Sequence, residues 1–398
     1  MRRAILASIA AWLVAVVPAA QERQTPPVFK TGTALVLVDF VVTDKSDKPV
    51  KGLAAGDFVV KEDGKDRPIV SFASFSDGGP ASSRPATASP PQESAGAATA
   101  FLVDDIQLTP EQTLRLRPDL KAVMERLLVR KGRISLGAPA SRMFEALMLP
   151  ADATALASTV DGITGHRLEN QTDLPIADAE AIAIDRGDQT MLTRLIGRFM
   201  ALNPGLKENQ AEALARNRAT EVSTIARMRR DQLYKAASLA FDWLSEQPGR
   251  HNLVIVSPGF PRDVSDTGYN GIVTRSLRVN APISFVDVRG LPGFGPYDNV
   301  TFGAALGTAI GEAPGARTDA ASGTAVLADD TGGVIIRNTN DLQAGLGRLL
   351  DQMTTYYIVG YEPVPQAKAG FRKIKVEPRT KGLNVRARRG YFDSADRK

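Results

Sequence analysis

Residues Ala100–Pro110 read AFLVDDIQLTP. A short apolar run stops at two adjacent carboxylates, and Asp105, Gln107 and Thr109 then put an oxygen at every second position. Strands buried on both faces of a parallel sheet are near-continuous apolar runs, and such sheets hold ligands at the carboxyl ends of their strands. Asp104-Asp105 is therefore either the rim of a cation site or the end of a buried strand whose carboxylates hold the following turn.

The pattern around this stretch alternates. Glu111–Val129 has helical spacing, with Leu114, Leu120, Val123, Leu127 and Leu128 mostly on one face and Pro118 as a point of kinking or restart. Ile134–Ala138 reads as a strand and Ala151–Val160 as a helix. Leu253–Ser257 (LVIVS) is a buried strand, Ile272–Asn280 a helix, and Ile283–Val288 (ISFVDV) the next strand. Gly333–Arg337 is a short strand before a helix over Asp341–Met353. Strands separated by helices predict an α/β domain with a doubly wound, mostly parallel sheet. A helical insertion lies at about 170–248, with Glu208–Gln247 readable as one helix. Its apolar stripe is read as Leu214, Ile225, Met228, Leu233, Ala236, Ala240 and Leu244, and Arg216, Arg218, Arg227, Arg229 and Arg230 give it a basic side.

Both flanks are β-rich. TALVLVDFVV at 33–42, Phe58–Lys61 and Ile69–Phe75 read as strands, with Glu62-Asp63-Gly64-Lys65 as a hairpin turn. Tyr356–Tyr361, Phe371–Glu377 and Asn384–Arg388 close the chain as strands, and the alternating Lys373, Lys375, Arg386 and Arg388 read as their solvated face. The two flanks are expected to pack as one sandwich-like module with the α/β domain inserted between them. Residues 77–99 are almost all Gly, Ala, Ser, Thr and Pro, the composition of a linker. The expected organisation is a signal peptide over 1–20, a β unit over 28–76, a linker over 77–99, an α/β domain over 100–354 and a second β unit over 355–393.

Arg2 and Arg3 precede the uncharged run Ala4–Val17, and Pro18-Ala19-Ala20 supplies small residues for cleavage. This is the layout of a secretory signal peptide, so the protein is expected to be exported, periplasmic or secreted, with no membrane insertion once the signal is removed. Cysteine is absent, which excludes disulfides and thiolate metal sites, and two histidines are too few for an ordinary zinc site. The net charge of +5 is dispersed, and with export it argues against nucleic acid as a partner.

In their order, VDFVVTDKSDKPVKGLAAGDFVVKEDGK, FLVDDIQL, PGRHNLVIVSPGFP, ISFVDVRGL, LADDTGGVIIRNTNDL and YYIVGYEP with VRARRGYF resemble the exported von Willebrand factor A-related proteins of the acidobacterial type over residues 30–393. The resemblance implies a von Willebrand factor A-like α/β domain flanked by β structure, and no established catalytic activity. It also implies a metal-ion-dependent adhesion site of the form Asp-x-Ser-x-Ser with a loop Thr and a second Asp. A hard divalent cation such as Mg²⁺ is suited to such oxygens. Asp104 occupies the first position, but Ile106 and Leu108 replace the serines, and Pro258 follows LVIVS where the second Asp is expected. Thr164 is the candidate loop Thr. A frame shifted by one residue gives Asp105, Gln107 and Thr109, with Asp263 completing it only by folding back. The candidate metal residues are thus Asp104, Asp105, Gln107 and Thr109, in a site read as degenerate.

No catalytic residue is assigned. Ser257 lacks the glycine of a nucleophile elbow at position 255, and both histidines precede it in the chain, against the hydrolase order. Gly290–Gly295 has no phosphate-loop signature, and Asp287 either faces Asp104 across the sheet or caps the next turn. The expected function is an exported, non-enzymatic protein-interaction or adhesion module without a cofactor. Its partner is a protein or cell-surface component, bound at the carboxyl edge of the sheet or along the helical insertion. The alternatives are an exported metal-dependent enzyme using Asp104, Asp105 and Asp287, or a structural envelope protein.

Overall fold

The computed structural model describes residues 35–76, 79–80, 97–129, 133–147, 153–167, 175–263, 265–289, 321–337, 339, 341–364 and 370–393. The expected signal peptide, most of the expected linker and the Gly290–Gly295 loop lie outside the described residues.

The chain begins with strands β1 (Val36–Thr43), β2 (Phe58–Glu62), β3 (Lys65–Arg67), β4 (Ser71–Ser76) and β5 (Gly79–Pro80). The α/β domain follows as β6 (Ala98–Val103), α1 (Pro110–Val129), β7 (Arg133–Ala138), β8 (Met143–Leu147) and α2 (Ala153–Gly162). The insertion is α3 (Asp178–Asp185), α4 (Gln189–Leu202) and the first half of α5 (Glu208–Ser245). Next come β9 (His251–Ser257), α6 (Thr267–Val279), β10 (Ile283–Asp287), α7 (Ser322–Thr331), β11 (Ile335–Ile336) and α8 (Leu342–Thr354). The chain closes with β12 (Tyr356–Tyr361), β13 (Gly370–Pro378), β14 (Asn384–Ala387) and β15 (Gly390–Asp393). Pro118 does not interrupt α1, and β6 starts inside the stretch expected to be linker.

The α/β sheet has the order β11-β10-β9-β6-β7-β8. Every pairing is parallel except β7 with β8. Within the domain this is the doubly wound order, and the connection reverses direction between β6 and β9. Side chains alternate across the sheet with period two. Phe101, Val103, Val254, Val256 and Val286 pack on one face against Leu116, Leu120, Met124, Leu156, Leu346 and Leu349 of α1, α2 and α8. Ala100, Leu102, Leu253, Ile255 and Phe285 pack on the other against Leu233, Phe241, Ile272 and Leu327 of α5, α6 and α7. The expected fold class, a doubly wound mostly parallel sheet inserted in a small sandwich-like module, is the one observed.

The flanking strands make that module only together. One sheet runs β14-β1-β12-β4-β5 and the other β15-β13-β2-β3. β12 lies between β1 and β4, so residues 28–76 do not pair as an independent antiparallel unit. Phe40, Phe58, Val60, Tyr357, Val359, Tyr361, Ile374 and Val376 form their shared core. Glu62 is buried there and accepts hydrogen bonds from the hydroxyls of Tyr361 (3.2 Å) and Tyr391 (2.8 Å), so it does not stand uncompensated in an apolar interior.

The insertion departs from the expected stripe. In the first half of α5 the buried apolar residues are Ala211, Ala215, Ala219, Val222 and Ala226, whereas Leu214, Ile225 and Met228 are exposed. Small side chains let α5 approach α3 and α4, where Ile184, Leu192, Leu195 and Phe199 fill the contact. The arginines are not a free basic surface either. Arg216 pairs with Glu212 (2.8 Å), Arg218 with Glu221 (2.7 Å), Arg227 with Asp185 (2.7 Å) and Arg230 with Asp263 (3.3 Å). Arg229 lies 3.9 Å from Asp178.

Candidate functional site

The crevice at the strand reversal is built by the ends of β6 and β9. The two strands run in register through Val103↔Val256, and the Asp104 N–H donates to the Val256 carbonyl (2.9 Å). This continuation brings Asp104 beside Ser257, the last residue of β9. The Ser257 hydroxyl donates to Asp104 Oδ2 (2.6 Å) and accepts from the Gly259 N–H (2.9 Å). The Gln107 side-chain amide also donates to Asp104 Oδ2 (2.6 Å). Asp104 is fully buried, and its Oδ1 has no hydrogen-bond partner. Burial pushes this carboxyl up to about 6, against the lowering effect of the bonds from Ser257 and Gln107.

Asp105 faces away from this point. Its carboxylate accepts from the Ala140 N–H (2.8 Å), the Ser141 N–H (2.7 Å) and the Ser141 hydroxyl (2.6 Å), tying the end of β6 to the loop after β7. Thr109 caps α1. Its hydroxyl accepts from the Gln112 N–H (3.2 Å), while the Gln112 side chain accepts from the Thr109 N–H (3.0 Å). This reciprocal pair, followed by Pro110, is a capping box. Thr109→Ala is expected to cost about 1 kcal/mol in urea unfolding, with no change in divalent-cation response.

The loop after α2 covers the same turn. The His166 N–H donates to the Asp105 carbonyl (2.8 Å) and the Arg167 N–H to the Leu108 carbonyl (2.9 Å). A Cβ at Gly165 would lie 2.4 Å from the carbonyl oxygens of Leu108 and Thr109, so only glycine admits this approach. Thr164 is exposed, and its hydroxyl lies 3.5 Å from Arg117 rather than on the carboxylates.

Asp263 does not fold back to Asp104. It accepts from the Ser265 hydroxyl (2.6 Å), Arg227 (3.2 Å) and Arg230 (3.3 Å). Burial alone would raise this carboxyl, but the bonds from Ser265 and the two arginines outweigh it and hold it at about 2. Asp287 ends β10 and is held by the Arg289 N–H (2.9 Å) and guanidinium (2.6 Å), so it serves the next turn. His251 stands at the start of β9, with its ring nitrogens on the carbonyls of Val279 (2.8 Å) and Gln247 (2.7 Å), at the opposite end of the strand from Ser257.

Of the four candidate metal residues, the fold thus brings Asp104 and Gln107 together and directs Asp105 and Thr109 elsewhere. The amide of Gln107 presents its donor end to Asp104, and one carboxylate oxygen is left free. This donor set does not fit a divalent cation, which needs several oxygens at once. Among the described residues there is no group of three or more His, Cys, Asp or Glu able to hold a metal ion. Sequence reasoning did not find the Ser257–Asp104 bond. The available signal was that two apolar runs in adjacent parallel strands end at equivalent positions.

No protein-family model matches the chain, and no curated protein matches it. The resemblance to the acidobacterial von Willebrand factor A-related proteins is therefore corrected, because no family model reproduces that succession of motifs. Among solved structures, the chain is similar to the N-terminal domain of TFIIH p34, at 10% identity over 64% of this chain and 95% of that one, with a TM-score of 0.28. A likeness that distant carries no functional argument. The class rests on the strand order, a doubly wound α/β domain inserted in an antiparallel β module. No helix among the described residues is long and apolar enough to cross a membrane.

Proposed function

We propose that the protein is an exported, non-enzymatic protein-interaction module, and that its contact surface is the outward stripe of α5. Export rests on the N-terminal Arg2-Arg3 and the apolar run Ala4–Val17. The observation that carries the interaction reading is a set of large apolar side chains left in water on one long helix: Leu214 (40% exposed), Ile225 (38%), Met228 (57%) and Leu239 (55%). Scattered exposed apolar residues are ordinary, but four aligned along one face of a single helix support a contact surface there.

These residues share one stripe. Leu214, Glu221, Met228 and Lys235 repeat at seven-residue intervals, as do Arg218, Ile225, Gln232 and Leu239. Interleaved, they give the spacing of a coiled-coil seam. The row also reads alike in both directions. Leu214 lies as far before the midpoint of Ile225 and Met228 as Leu239 lies after it. A two-fold contact requires this self-complementarity, and an antiparallel pair would set Leu214 against Leu239 and Ile225 against Met228 of the second copy. In that register Glu221 faces Gln232 of that copy and Arg218 faces Lys235, a like-charge contact that Glu221, already paired with Arg218, offsets. The partner of matching chemistry is an apolar helix face with this register, and a second copy of the chain supplies one.

The chain has no cysteine, so Leu214→Cys with Leu239→Cys gives a clean reporter. Mild oxidation is expected to yield covalent dimer, and light scattering to show concentration-dependent mass. Met228→Lys with Leu239→Lys should abolish both, remove any concentration dependence of the melting temperature and leave the far-UV circular dichroism unchanged. A monomeric wild type with no cross-link at any concentration removes the second copy as partner. If the lysine variant also captures the same envelope proteins as wild type, the α5 surface itself is ruled out.

A further inference from the structure

Where the antiparallel module meets the α/β domain, a small cavity is lined by Asp39, Arg386 and Arg388 from one side and by Arg250, Ser276, Asn280, Thr331 and Gly332 from the other. It leaves about 20 Å³ for the centre of a water-sized occupant. The sequence pattern placed Arg386 and Arg388 on a solvated face, yet both turn into this junction.

Each guanidinium is tethered at its end groups. Arg388 donates to the carbonyls of Leu37 (2.7 Å) and Leu277 (3.3 Å). Arg250 donates to the Met353 carbonyl (2.9 Å) and lies 4.0 Å over the Tyr356 ring. Arg386 is satisfied by Gln352 (2.9 Å) and Asp47 (3.1 Å). The Nε–H groups of Arg250 and Arg388 are buried without a hydrogen-bond partner, and the Arg250 side chain is only 6% exposed.

The charge is also unbalanced. Arginine stays protonated in proteins. Asp39 is the acidic residue of the lining, at 3.9 Å from Arg250 Nε, beyond hydrogen-bond reach. Setting aside Arg386, which has Asp47, two cations share one carboxylate. Burial lowers the pKa of both Arg250 and Arg388 against the raising effect of Asp39, so the carboxylate does not fully offset their desolvation. A water molecule in the cavity leaves the excess positive charge in place, and buried charges persist where they are paired.

We propose that this cavity binds one small monovalent anion between the guanidinium groups of Arg250 and Arg388, and that the ion fastens the antiparallel module to the α/β domain. The space has room for a water-sized body. The proposal is independent of the α5 reading.

The test is thermal melting of the protein in sodium chloride, sodium bromide and sodium gluconate at equal ionic strength. A ligand that binds only the folded state raises the melting temperature, so a rise of a few degrees in the two halides over gluconate is expected. Arg388→Gln and Arg250→Gln should each remove that difference. Asp39→Asn should enlarge it, because a neutral side chain leaves more positive charge for the anion. A purely structural ion pair predicts the opposite, an equal loss of melting temperature in all three salts. Bromide anomalous scattering should place a peak in the cavity, beside the guanidinium groups of Arg250 and Arg388. Identical melting in all three salts, or no bromide peak there, overturns the proposal in favour of water, even if a variant fails to fold.

Discussion

Replacing Asp104 by Asn is expected to make the protein more stable at pH 8 and to flatten its stability between pH 4 and pH 6. The wild-type carboxyl is shifted from its ordinary 3.8 up to about 6, chiefly by burial. Below pH 4 both folded and unfolded states hold the proton, and stability is undiminished by this group. Between pH 4 and pH 6 the unfolded chain has released the proton and the folded chain has not, so stability falls as pH rises. Two pH units correspond to roughly 3 kcal/mol lost above pH 6. The proton has one natural place, because Oδ2 already accepts from Ser257 and Gln107 while Oδ1 has no partner. Asn keeps the acceptor for those two donors and puts an NH₂ at the Oδ1 position. An unpaired buried donor costs about 1–3 kcal/mol, so the net gain at pH 8 is about 1 kcal/mol.

The measurement is urea unfolding of wild type and Asp104→Asn from pH 4 to pH 8. The difference between the two isolates this group from Asp263, whose lowered pKa gives a slope of opposite sign below pH 4. A cation on Oδ1 would reverse the outcome. Wild type would then gain stability with pH and with added Mg²⁺ or Mn²⁺, lose it to chelator, and exceed Asp104→Asn at pH 8. That result would reinstate the metal-dependent reading.

The parts of this fold that were legible are those where local pattern and burial agree. AFLV, LVIVS and ISFVDV are apolar on both faces because helices cover both sides of the sheet, and each reads as a buried strand without tertiary knowledge. Asp104 was legible as a strand end, but its meaning was not. Ser257 is 153 residues away, and only the parallel register of β6 and β9 places the hydroxyl on the carboxylate. The expected stripe of α5 holds in its second half, where Leu233, Ala236, Ala240 and Leu244 are buried, and fails in the first, where large apolar residues do not face inward. Close contact with α3 and α4 favours Ala211, Ala215 and Ala219 there, and displaces Leu214 and Met228 to the outside. Arg386 and Arg388 were assigned to solvent by alternation alone, which holds for the exposed Lys373 and Lys375. Alternation gives the face of a strand, not whether another domain covers that face.

Gly333→Ala is expected to cost about 3 kcal/mol, the upper end of overpacking penalties, although alanine is the smallest change available. α7 ends on Gly332 in the left-handed conformation (φ +79°), and the Gly333 N–H closes back on the Ala328 carbonyl (2.9 Å). The chain then turns at once into the two-residue strand β11 beside β10. A Cβ at Gly333 would stand 1.9 Å from the Ile283 carbonyl oxygen and 2.4 Å from its carbon. Backbone cannot swing aside as a side chain does. The nearby Ile283 N–H is fixed on the Thr331 hydroxyl (3.0 Å), so relief requires β11 to withdraw from β10. Withdrawal breaks the bond from the Phe285 N–H to the Val334 carbonyl (2.8 Å) and opens the edge of the sheet over Phe285 and Leu327. Gly347→Ala supplies the contrast, because its Cβ would meet only Arg126 Nη1 at 3.5 Å, an ordinary contact. In the interior of α8 that change should stabilise by about 1 kcal/mol, the helix-propensity difference. Guanidinium unfolding of both variants measures the opposite signs, and amide exchange at Phe285 should accelerate in Gly333→Ala alone. Equal midpoints for the two variants would mean that β11 is not held against β10 as described, and the doubly wound order would then lose its last strand.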